Sequence, residues 1–126
     1  MPSSFSFMGR LRSMRHALHG IQLMLVSQQN AWVHASVTAV VLALGLSLGL
    51  DRFEWCWLVI ACVAVWTAEG LNTAFELMCD VASPEFHPSV KCAKDVAAGA
   101  VLIAAVGAAI IGLLILGPPL VALFES

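Results

Sequence analysis

The sequence predicts an all-α integral membrane protein, with an amphipathic helix on the membrane surface followed by three membrane-crossing helices. Three observations carry that reading. The 126 residues are 60% hydrophobic and only 11% charged, where a soluble domain carries roughly a quarter charged residues. Residues 31–50 and 96–124 contain no Asp, Glu, Lys or Arg, and about 20 apolar residues cross a hydrocarbon layer ~30 Å thick. Tyrosine is absent, and the alternating segments of a transmembrane barrel are missing. The length suits one domain, taken as residues 1–126. The net charge of -2 comes with no basic patch interleaved with aromatics, so no nucleic-acid partner is expected. Cys56, Cys62, Cys79 and Cys92 form no CxxC pair and are read as structural thiols, not zinc ligands.

Residues 1–6 are expected to be disordered. In residues 7–29, apolar side chains at 7, 11, 14, 18, 21 and 25 follow the spacing of one helix face, with Arg10, Arg12, Arg15, His16 and His19 beside them. A basic amphipathic helix of this kind lies in the membrane interface. It is not read as a signal peptide, because no apolar core or small-residue cleavage site follows closely.

The first span is expected at 31–50, with His34 its one ionisable group, read as an interfacial or packed histidine. A short polar turn at 51–54 returns the chain. The second span, 55–81, starts at Trp55 and Trp57, which suit the aromatic belt. Residues 83–90 read as a loop framed by Pro84 and Pro88. The third span, 91–116, carries small residues at 100, 104, 108 and 112, a ladder that lets helix backbones approach closely in lipid. Gly117, Pro118 and Pro119 are expected to end it. Five of the six Lys and Arg residues lie towards one side and only Arg52 on the other, which is expected to place the N-terminus and the 82–93 loop in the cytoplasm and the 51–54 turn and C-terminus outside.

The chemistry is concentrated between Glu69 and Asp95, which hold five of the eight acidic residues and both lysines. A carboxylate inside a span costs about 3 kcal/mol and is a functional candidate by default. On a helical wheel Glu69, Asn72, Thr73, Glu76 and Asp80 fall in one stripe about 100° wide. A polar seam gluing helices is the plain alternative, but Ser, Thr or Asn would serve that purpose without charge. Glu69 lies about 10 Å deeper along the axis than Glu76. The deeper carboxylate is the more desolvated and suits a base, and the shallower ones suit a hydrated Mg²⁺. Lys94 and Asp95 open the next helix on the same side, where a lysine can neutralise nucleotide phosphates and the aspartate can orient it or bind a ribose or metal. Neither GxxxxGK[ST] nor GxGxxG is present, so the usual nucleotide cradles are absent.

The runs EGLNTAFE at 69–76, SPEFHP at 83–88 and AKDVAAGAVL at 93–102 resemble the small prokaryotic diacylglycerol kinase family, which includes undecaprenol kinases. The last two segments are closer to the undecaprenol kinase branch. The resemblance implies a homotrimeric lipid kinase of the bacterial inner membrane. Shared, cytoplasm-facing active sites would use ATP and Mg²⁺ to phosphorylate undecaprenol or diacylglycerol. It implies Glu69 as general base, Glu76 as metal ligand, and Asn72 as positioning substrate or phosphate together with Glu69 and Gly99. Nucleotide contacts are implied for His16, Glu76, Glu85, His87, Lys94 and Asp95. One departure stands out. The family's E-x-N-F-R-x-H pattern appears here as QQNAWVH at 28–34. Asn30 and His34 match, Trp32 replaces the arginine, and Gln28 takes the place of a second metal-binding glutamate. No acid precedes Asp51 to substitute for it. A glutamine oxygen can ligate Mg²⁺ but adds no charge, so weaker metal affinity or compensation by nucleotide oxygens or Asp80 is expected.

Two other classes compete: a non-catalytic oligomeric scaffold with a degraded metal site, and a proton or ion pathway, for which buried acids are also typical. A pathway leaves Lys94, Asp95 and the loop bearing Glu85 and His87 without a role.

Overall fold

The structure, a computed structural model, describes residues 6–126. Those residues form four helices: α1 Phe7–Ser27, α2 Gln29–Leu48, α3 Arg52–Ala82 and α4 Pro88–Glu125. Three of them, α2, α3 and α4, are long and apolar enough to cross a membrane. The expected disorder at 1–5 lies outside the described residues. Ser6 is not disordered: its Oγ accepts from the Gly9 N–H at 3.2 Å and caps α1.

Gln28 is the break between α1 and α2. Its backbone is extended (φ -117°, ψ 121°), its N–H donates to the Met24 carbonyl, and its own carbonyl accepts from the Ala31 N–H. One residue thus ends one helix and starts the next, two residues earlier than expected. The apolar positions 7, 11, 14, 18 and 21 of α1 are exposed within the chain. Towards its end the helix meets α3, where Met24 is buried and its sulfur lies 3.6 Å from a Cβ placed on Gly70.

The turn between α2 and α3 is tighter than the predicted 51–54. Gly49 ends α2 in the left-handed region at φ 66°, which a residue without Cβ enters at no steric cost. Asp51 and Glu54 then form a reciprocal capping box, each side chain accepting the other's backbone N–H at 2.9 Å. That box draws residues 52–54 into the helix, which is why α3 begins before Trp55.

Close approach at this end depends on Gly45. A Cβ there would lie 2.8 Å from Trp55 Cη2 and 3.2 Å from Leu50 Cδ1. An indole ring cannot swing aside as a flexible chain end does. Gly45→Ala is therefore expected to lower the thermal midpoint in detergent. Overpacking costs about 1–3 kcal/mol, and the gain of up to ~1 kcal/mol in helix propensity offsets part of it.

α3 and α4 form an antiparallel hairpin, the most extensive helix pair in the chain. Pro88 is not a loop residue. It takes the first turn of α4, where its missing N–H costs nothing. At the other end α4 runs through Pro118 and Pro119 to Glu125, correcting the expected stop at Gly117. Proline fixes φ at a helical value, and Gly117 has no Cβ to clash with the following ring. Long membrane helices tolerate such lost hydrogen bonds. The small-residue ladder is not a seam within the chain: a Cβ on Gly112 meets nothing within 4 Å. Ala108 and Gly112 instead line an apolar cavity of about 640 Å³ between α2, α3 and α4.

At 31 residues, α3 is about 46 Å long, longer than the ~30 Å hydrocarbon layer. The residue pairs joining α2 to α3 run antiparallel, from Gln28 with Glu76 to Gly45 beside Trp55. The elbow at Gln28, the last turns of α3 and the start of α4 therefore share one end of the bundle.

Candidate active site

The site is built on the buried face of α3. Leu58, Ala61 and Val65 hold that face in its first half, and Glu69, Asn72 and Thr73 continue it. The spacings of three and four residues are those of a core stripe. At Glu69 the helix places a carboxylate where its own periodicity calls for an apolar side chain. Glu69 is 1% exposed, and among the described residues neither carboxylate oxygen has a hydrogen-bond partner. His34 of α2 stands opposite, its Nε2 3.4 Å from Glu69 Oε2. That is within ion-pair reach but not in hydrogen-bond geometry.

Two turns along α3, Glu76 is half-buried and accepts two long hydrogen bonds. Gln28 Nε2 donates to its Oε2 at 3.4 Å, and Asn72 Nδ2 donates to its Oε1 at 3.3 Å. The extended backbone at Gln28 is what lets that side chain reach α3 from the elbow. Asn72 Oδ1 is buried without a partner. Among the described residues no three His, Cys, Asp or Glu side chains cluster in a way that could hold a metal ion. The set that does gather is one carboxylate and two amides. A half-turn of either amide presents oxygen in place of nitrogen, and the orphaned Asn72 oxygen is already an acceptor in need of a donor or cation. Oxygen ligands supplemented by substrate phosphates are what Mg²⁺ takes, so these residues fit it.

The nucleotide candidates gather at the same end of the bundle. A cavity of about 340 Å³ is lined by Asp80, Ser83, Glu85, His87, Lys91 and Lys94. Lys94 Nζ pairs with Asp80 Oδ1 at 2.5 Å, tying α4 to α3, and Lys91 Nζ pairs with Asp95 Oδ2 at 2.6 Å. Of the roles considered for Asp95, orienting Lys94 is not the one found, since Asp95 pairs with Lys91. Neighbouring residues on a helix point about 100° apart, and Asp95 pairs one turn back. Asp80, considered as compensation for Gln28, is engaged by Lys94. Glu85 is exposed, with its carbonyl accepting from Ser83 Oγ at 3.0 Å. His87 caps α4, its Nδ1 accepting from the Ser89 N–H at 3.2 Å. His16 is exposed on α1, and a Cβ on Gly99 meets nothing within 4 Å. The cysteines are all free.

The sequence reading missed the contact of His34 with Glu69. Its only signal was the match of His34 to the family pattern, because the two residues lie 35 positions apart on different helices.

The profile of the prokaryotic diacylglycerol kinase family matches residues 15–116. The chain is 38% identical over 109 residues to an undecaprenol kinase of Bacillus subtilis, covering 86% of this chain and 89% of that protein. A diacylglycerol kinase of Synechocystis sp. is 36% identical over 114 residues, covering 90% of this chain and 65% of that longer protein. A diacylglycerol kinase of Helicobacter pylori is 34% identical over 80 residues, covering 58% of this chain and 62% of that protein.

Proposed function

Because this chain belongs to the prokaryotic diacylglycerol kinase family and is a membrane lipid kinase, we propose that it transfers the γ-phosphate of ATP to the hydroxyl of undecaprenol. The observation that carries the chemistry is a buried carboxylate, Glu69, whose oxygens have no hydrogen bond among the described residues, under one turn from Asn72 and two turns from the Glu76 that Gln28 and Asn72 contact. The B. subtilis relative, matched over 89% of its length, favours undecaprenol as the lipid.

In this reading Glu69 takes the proton from the lipid hydroxyl as its oxygen attacks the γ-phosphorus and ADP leaves. Among the described residues no group hydrogen-bonds to those oxygens, so one of them can accept the substrate hydroxyl. Lys94 neutralises phosphate charge, held near the site by Asp80. Glu85, His87 and Asp95 contact the rest of the nucleotide. Gln28, Glu76 and Asn72 would hold Mg²⁺, which when bound neutralises developing phosphate charge. Catalysis of this type is mostly positioning and charge neutralisation. The lipid chain lies in the cavity of about 640 Å³, against Ala108 and Gly112.

The exposed apolar face of α1 rests on the inner membrane, and the basic residues hold the Gln28 end in the cytoplasm. A homotrimer brings His16 and Gly99 to a neighbouring copy's site. The non-catalytic scaffold is not favoured by the family match.

Labelled ATP offered with undecaprenol or diacylglycerol in detergent tests the lipid. Undecaprenyl phosphate is the expected product. Phosphatidic acid alone would move the assignment to diacylglycerol, and product from neither lipid would overturn the reading.

A further inference from the structure

We infer that His34 is a positioning residue for the base Glu69, setting which of its carboxylate oxygens meets the substrate hydroxyl; the inference rests on the kinase reading and deepens it. A carboxylate that is 1% exposed with no hydrogen bond is costly unless something faces it. His34 Nε2, at 3.4 Å, is the group the fold supplies. Contacts of this kind often run long without substrate and tighten when it binds.

The histidine is itself held. Its ring meets Trp66 edge to face, with centroids 6.3 Å apart and planes at 67°. Trp66 Nε1 donates to Thr38 Oγ1 at 3.1 Å, one turn beyond His34 on α2. The indole therefore pins α2 to α3 and orients the imidazole at once. His34 also lines the apolar cavity, and the other titratable group lining it is the Cys62 thiol. α4 contributes only apolar side chains to that lining, such as Ala105, Ala108 and Leu113. With a hydroxyl on one oxygen of Glu69 and the imidazole N–H on the other, the carboxylate cannot rotate away from the attacking group.

The test is turnover and ring ¹⁵N NMR on full-length protein in lipid nanodiscs. The variants are His34→Ala, His34→Gln, Glu69→Gln and the double variant His34→Ala/Glu69→Gln. His34→Ala is expected to lower kcat by about 10–100-fold, the scale of losing a supporting partner, with the KM for ATP unchanged. His34→Gln, which keeps an N–H donor, is expected to recover much of that loss. In the Glu69→Gln background His34→Ala should cost nothing further. The His34 Nε2 signal should also shift in Glu69→Gln, a readout that needs no turnover. Active wild type with unchanged kcat in His34→Ala, or losses that multiply in the double variant, would overturn the inference. So would a ring signal indifferent to Glu69→Gln. Wild type without turnover on any lipid would instead remove the kinase reading, and the inference with it.

Discussion

Glu69→Gln is expected to cut lipid phosphorylation by about 10²–10⁴-fold, the range that a positioned general base contributes. Binding of a non-hydrolysable ATP analogue should be unchanged, because Glu69 lies away from the nucleotide cavity's lining. The same position predicts an opposite effect on stability. Leu58, Ala61 and Val65 precede Glu69 on the buried face of α3, and a leucine there would continue the apolar stripe. Glu69→Leu removes a buried carboxylate whose oxygens have no hydrogen bond, worth about 1–3 kcal/mol. It is expected to raise the thermal midpoint in detergent while abolishing turnover. Loss of activity and gain of stability at one residue is the mark of a group kept for chemistry. A Glu69→Leu protein that melts lower than wild type would show that the carboxylate supports the fold instead.

Gln28→Glu is the second large effect, and its sign depends on magnesium. In the wild type the Gln28 amide donates to Glu76 Oε2 at 3.4 Å, an attraction that a second carboxylate would turn into repulsion. Without divalent cation the variant is expected to melt below wild type, since two carboxylates sharing a site resist double ionisation. With millimolar Mg²⁺ the order should reverse, because a ligand that binds only the folded state stabilises it by an amount that grows with the logarithm of its concentration over Kd. Divalent affinity, read by Mn²⁺ electron paramagnetic resonance, should rise about 10–100-fold, the scale on which a metal's surroundings tune binding. If the missing acid limits turnover, the variant also needs less Mg²⁺ for half-maximal activity. A melting point that ignores Mg²⁺ in both proteins would separate Gln28 from the metal.

Much of the site was legible in the chain because one helix carries it. Glu69, Asn72, Thr73 and Glu76 share a face by spacing alone, and a helix fixes its own periodicity without help from neighbours. The Asp80 and Lys94 pairing was harder. Both residues were visible at the ends of their helices, but the adjacent Asp95 looked like the partner of Lys94 until the hairpin set the rotation of α4.

The helix boundaries show the same division. Ser6, Asp51 and Pro88 start their helices by local chemistry. Pro118 and Pro119 read as a stop, yet α4 passes through them, because proline forbids a hydrogen bond and not a helical φ.

The sequence by itself determined the solvent this protein is built for, the three spans, and the polar stripe on the second. Those follow from composition and from periodicity within single helices. Only the tertiary structure decided what the stripe meets. It put Gln28 against Glu76 and His34 against Glu69, and left the carboxylate of Glu69 buried without a hydrogen bond among the described residues. Such contacts depend on the bend at Gln28 and on the antiparallel register of α2 against α3, which long-range packing sets and no local spacing encodes.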